Sequence, residues 1–125
     1  MIVAMMLVLT VQAAPDEQPP EFRFAAGCVA IADIAASDIA KALRKPSLTQ
    51  EERVKVEQSA MIFARVSDRA KIAKRMAASL EGLSPADQDL MSRQQRQVFQ
   101  SVPGELRVAM VDSCVYRFAR DLMPD

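Results

Sequence analysis

Residues 49–82, TQEERVKVEQSAMIFARVSDRAKIAKRMAASLEG, decide the fold. Thr49 is a good helix N-cap, and Glu52 three residues on completes a capping box. Glu51 and Glu52 suit the positive end of a helix dipole. No Gly or Pro follows until Gly82, which is expected at C′. Ile62, Val66, Ala70, Ala73, Met76, Ala77 and Leu80 recur at helical spacing and are the expected buried face. One helix of some thirty residues, roughly 45 Å long at 1.5 Å per residue, is therefore expected.

Shorter helices flank it. Upstream, Phe24, Cys28, Ile31, Ala32, Ala35, Ile39, Ala42 and Leu43 form one stripe of a helix running from about Phe24 to Lys45. Pro46 stops it. Much of the stripe is Ala, so a neighbouring helix can approach closely. Downstream, Ser84 is placed to cap a third helix that carries Pro85 at its first position and runs to about Ser101. Its apolar content is thin: Leu90, Met91, Val98 and Phe99 among many Gln. Val102-Pro103-Gly104 breaks the chain. A fourth helix then follows to about Leu122, with Val111, Cys114, Val115, Phe118 and Leu122 as its stripe. Short connections predict an all-α, up-down four-helix bundle with an overlong second helix and a loosely held third.

Thr49 and Ser84 open their helices in a similar way. Leu48-Thr49-x-x-Glu52 and Leu83-Ser84-x-x-Asp87-Gln88 resemble the repeated Leu-Thr-x-x-Gln signature of small periplasmic helical stress chaperones. Glu replaces Gln in the first, and Ser replaces Thr in the second with Gln displaced by one. Capping chemistry alone accounts for the likeness, and no family is assigned on it.

The two cysteines, Cys28 and Cys114, lie on the first and last helices. An up-down bundle sets those helices side by side, which is what a bridge requires. Such a bridge belongs to an exported chain. The N-terminus points the same way. Ile2 to Val11 is an uncharged apolar run of signal-peptide length, too short to span a bilayer. Val11-Gln12-Ala13 offers small residues for cleavage after Ala13, although no Lys or Arg precedes the run and the first basic residue is Arg23. The expected organisation is a signal peptide over residues 1–13, a disordered mature N-terminus over 14–22, and one helical domain over 23–123. The expected location is the periplasm or the secreted fraction.

Composition narrows the function. Sixteen basic residues balance sixteen acidic ones, and a nucleic-acid binder needs a basic surplus. Three Gly, one Tyr and no Trp speak against a β-sandwich or a sugar-stacking surface. There is no His, so His-dependent triads, metal sites and proton shuttles are excluded. Paired cysteines leave no thiolate nucleophile, and the glycines form no phosphate loop. The methionines of the helical body, Met61, Met76, Met91, Met110 and Met123, are spread without clustering and read as core filling, not a thioether metal site. No enzyme, cofactor or metal is expected.

Two features break the pattern of the long helix. Arg65 and Arg69 fall within its apolar arc, Arg69 about 20° from Ile62 at 100° per residue. An arginine there must snorkel or find a carboxylate. Asp38, Asp112 and Asp121 are the candidate partners, for an internal ion pair that fixes register or a cationic floor for an anion. The run from Arg65 to Arg75 is also locally basic, with Lys71, Lys74 and Arg75 pointing away from the core. Such a run is either a solvated face or a weak docking surface for an acidic partner or anionic lipid. With Val98 and Phe99 these residues are the candidate partner surface. The expected function is non-enzymatic binding of another protein, as by an inhibitor, immunity or adaptor protein. The alternatives are a holdase-type periplasmic chaperone and a small anion-binding module.

Overall fold

The computed structural model describes residues 21–123. The signal-peptide expectation, residues 1–13, lies outside them, as does most of the segment 14–22. Four α-helices follow one another: α1 (Phe22–Leu43), α2 (Gln50–Glu81), α3 (Pro85–Ser101) and α4 (Gly104–Ala119), with a 3-10 turn at Arg120–Leu122. No strand occurs among the described residues. The fold is an all-α bundle whose first and last helices are joined by a disulfide.

Local chemistry sets the helix ends. The Glu52 N–H donates to Thr49 Oγ1 at 3.1 Å, and the Thr49 N–H donates to Glu52 Oε1 at 2.9 Å, so the capping box forms. At the far end of α2, Gly82 takes φ 66°, a left-handed conformation that favours glycine. The Leu83 N–H then reaches the Ala78 carbonyl and the Gly82 N–H the Ser79 carbonyl, a Schellman closure. The Ser84 hydroxyl accepts from the Asp87 N–H at 3.1 Å and starts α3. Arg107 of α4 donates to the carbonyls of Gln100 and Val102, which satisfies the C-terminal end of α3 and closes the short turn.

Helix α1 begins two residues earlier than its periodicity predicts. Glu21 makes no side-chain cap. Instead the Phe22 N–H donates to Glu81 Oε2 at 2.8 Å, so the end of α2 caps the start of α1. The Phe22 ring is fully buried with Ala26, Ala77 and Ala78, backed by Leu83 and Met91. Phe22, expected in the disordered leader, therefore anchors a small second core.

The main core lies between α1, α2 and α4. Ala25, Cys28, Ile31 and Ala32 of α1 face Val66, Ala70 and Ala73 of α2. Cys114, Val115, Phe118 and Ala119 of α4 and Phe99 of α3 complete it. The Phe118 ring stacks on Phe24 with centroids 6.0 Å apart. The Cys28 and Cys114 Cα atoms are 5.5 Å apart, and both residues are buried. Outside the bridge α4 leans mainly on α2, while α3 packs on α1 and hardly on its neighbours in sequence. At that contact Gly27 faces the Gln95 side chain. As the sequence predicts, α3 is thinly buried, and Phe99 is its one buried residue.

The buried face of α2 is narrower than its apolar pattern. Val66, Ala70, Ala73, Ala77 and Ala78 are buried, but Met76 and Leu80 are exposed and Ile62 is half-buried. Small alanines hold α1 close to α2, and α4 ends before it reaches the level of Met76.

Candidate functional site

Arg65 and Arg69 converge on one carboxylate. Arg65 Nη1 donates to Asp121 Oδ2 at 2.7 Å, and Arg69 Nη1 donates to Asp121 Oδ1 at 3.1 Å. Arg69 Nη1 also donates to the Phe118 carbonyl at 3.1 Å, satisfying an acceptor at the end of α4. The 3-10 turn brings Asp121 to this position. Burial opposes ionisation of Asp121. Its own backbone N–H, the Arg65 hydrogen bond and the charges of Arg69 and Arg65 outweigh that and hold the carboxyl below its usual range.

This clamp corrects the expected set. Asp38 and Asp112 are exposed and take no part, and Asp121 is the partner. The site is not buried either: the three side chains are 34%, 48% and 49% exposed. The arginines bind the tail of α4 to α2 across the surface.

The expected partner surface divides in two. Lys71 and Arg75 are exposed, whereas Lys74 is half-buried with its Nζ 6.0 Å from the centroid of the Phe22 ring. Val98 is exposed beside a shallow cleft with Arg23, Gln94 and Pro103. Phe99 is buried in the core and offers nothing to a partner. On α3 the two adjacent apolar residues fall on different faces, and only one meets α1.

Three smaller but more enclosed concavities lie toward the other end of the molecule. Helix α3 starts beside the end of α2 and packs on the first half of α1, through Gln95 at Gly27 and Met91 at Phe22. The second half of α1 and the first half of α2 thus form a hairpin that α3 does not cover. Between these two arms runs a groove of about 380 Å³, with Ala36, Ile39, Ala40 and Leu43 facing Ala60 and Phe63. Asp33 and Asp68 stand on its rim. A second groove of about 500 Å³ lies between α2 and α4, lined by Ile62, Phe63, Val115, Tyr116 and Met123. A third, of about 380 Å³, continues from it through Ile62 and Met123 to Met61 and Leu122. Phe63 borders both of the first two grooves.

Sequence reasoning places Ile62 on the buried face but misses Phe63, Tyr116 and Ile39 as site residues. The available signal is the adjacent pair Ile62–Phe63, which widens the apolar arc of α2 past what one neighbouring helix can cover. Alanines on both arms leave room above the backbone, so a bulky apolar ridge can seat there. Such apolar grooves with few polar groups suit binding. Among the described residues no group of three or more His, Cys, Asp or Glu is placed to hold a metal, and no helix is long and apolar enough to cross a membrane. No family model, curated protein or solved structure matches the chain.

Proposed function

We propose that this chain is an exported, non-enzymatic binding protein whose uncovered α1–α2 hairpin receives an amphipathic helix of another protein. One observation carries the reading: two apolar grooves flank Phe63 on a scaffold locked by a buried disulfide. Helix-in-groove recognition uses apolar anchors at helical spacing, and the Ala-lined channel of Ile39, Ala40 and Ala60 provides the corresponding slot. Asp33 and Asp68 on the rim favour basic residues flanking those anchors. Export is supported by the Cys28–Cys114 bridge and by the apolar run Ile2–Val11 before Val11-Gln12-Ala13.

The test is site-directed photo-crosslinking in the native periplasm or medium, with the probe at Ala40 and a control probe at Arg93 on α3. One partner captured at Ala40, lost when Ala60→Trp fills the channel and absent from Arg93, supports the reading. Equal capture at both positions, or none at either, removes it.

A holdase activity is the second reading, favoured by the exposed Met61, Met76 and Tyr116 side chains. It predicts that stoichiometric protein suppresses aggregation of unrelated unfolded clients and that Ala60→Trp leaves this intact. Anion binding at Arg65 and Arg69 is not carried forward, because both guanidinium groups are bonded to Asp121.

A further inference from the structure

Sequence periodicity reads the methionines of the helical body as core filling, yet three of them stand at the surface. Met61, Met76 and Met123 are 64%, 54% and 45% exposed, while Met91 and Met110 are half-buried. Two of the three come together at one place. Met61, in the first half of α2, and Met123, past the end of α4, line the same groove of about 380 Å³ with Ile62 and Leu122. Gln58 is the one polar residue of that lining. Met123 continues into the groove of about 500 Å³ beside Phe63 and Tyr116. Met76 borders none of these grooves. Both cysteines of the chain are joined in the buried bridge, so the thioethers are its accessible oxidisable sulfurs.

We propose that Met61 and Met123 form a paired oxidation site, and that their sulfoxides close this groove to apolar ligands. The co-reactant is hydrogen peroxide. The thioether sulfur takes one peroxide oxygen: the S–O bond forms as the O–O bond breaks, sulfur gives up two electrons, and the other oxygen leaves as water with both protons. Exposure sets which methionines react first. Leucine at either position would line the groove as well and resist peroxide, so it is the thioether that makes the lining sensitive. A sulfoxide is polar where the thioether is apolar. An apolar side chain seated on it would bury an oxygen whose only side-chain donor in the lining is Gln58. The inference rests on the reading of these grooves as binding surfaces, and the step is reversible by enzymatic reduction of the sulfoxide.

The test treats the disulfide-bonded chain with graded hydrogen peroxide, maps each methionine by peptide mass spectrometry, and titrates the neutral apolar probe N-phenyl-1-naphthylamine. Met61 and Met123 should become sulfoxides before Met91 and Met110. Probe affinity should then fall about tenfold at an unchanged thermal midpoint, the effect of burying one unbonded polar group. It should return on treatment with methionine sulfoxide reductases. Met61→Leu with Met123→Leu conserves volume and should hold its affinity through the same treatment, whereas Met76→Leu should protect nothing. Four results overturn the proposal and leave the groove reading standing: all methionines oxidising at one rate, affinity unchanged once both are sulfoxides, affinity lost only with unfolding, or equal loss in the double Leu variant. An untreated chain that takes up no probe removes the groove reading as well.

Discussion

Removing the Cys28–Cys114 bridge tests the scaffold on which the binding surfaces rest. The bridge joins residues 86 apart, close to the whole span of the helical domain. In the chain-entropy model a loop of that length restricts the unfolded chain by about 15 cal/mol/K, or about 4–5 kcal/mol at 25 °C. Apart from the Phe24–Phe118 stack, little else ties α4 to α1, since α4 leans mainly on α2. For a domain of this size the loss lowers the thermal midpoint by roughly 20–30 °C. The assay is urea denaturation of three species: the oxidised chain, the same chain reduced, and Cys28→Ala/Cys114→Ala. Reduction isolates the crosslink, and the double variant adds the small void left by two buried sulfurs. Both should show a larger dependence on urea than the oxidised chain, because the unfolded state expands when the crosslink goes. Loss of less than about 1 kcal/mol on reduction would refute the reasoning. It would mean that the α2 contacts of α4 and the Asp121 clamp hold the helix unaided.

Five further substitutions discriminate among local features. Gly27→Ala should stabilise the protein by about 0.5–1 kcal/mol, because its new Cβ would sit 3.6 Å from Gln95 Oε1, an ordinary contact. Gly82→Ala should destabilise it by about 1 kcal/mol, because Gly82 holds φ 66°; parallel urea melts check the pair. Phe99→Ala should cost about 3–5 kcal/mol as the one buried residue of α3, while Val98→Ala beside it should be nearly neutral, which differential scanning calorimetry resolves. Because the Asp121 carboxyl is held below its ordinary range in the folded protein, its stabilisation is complete above the unfolded carboxylate pKa of about 3.9 and disappears as pH falls through the folded value. Asp121→Asn should therefore melt lower than the parent at neutral pH, and the difference should close in acid.

The secondary structure was legible because its signals are local. Thr49 with Glu52, Ser84 with Pro85, Pro46 and Gly82 mark helix ends through bonds within a turn or two, and each acts where the residue type predicts. The Cys28–Cys114 pairing was legible from the even cysteine count of a chain read as exported, and bundle topology agreed with it. What escaped depends on where helices stop in space. Met76 and Leu80 continue the apolar pattern of α2, yet α4 ends too soon to cover them. Asp121 sits on a 3-10 turn past the last helix, so a helical wheel cannot rank it above Asp38 or Asp112. Phe22 follows a Pro-rich run, and the carboxylate that caps it lies 59 residues away. Phe63 gains its place from the absence of α3 at that level, which no periodicity encodes. The candidate site is thus built where covering helices run out.

All of these surfaces presuppose a chain that leaves the cytoplasm and is oxidised. Intact-mass spectrometry of the protein purified from its native host, after alkylation under denaturing, non-reducing conditions, tests this most directly. The account predicts a chain beginning at Ala14, two hydrogens lighter than its reduced form and carrying no alkyl group. A chain that retains residues 1–13 and takes an alkyl group on both Cys28 and Cys114 would contradict it.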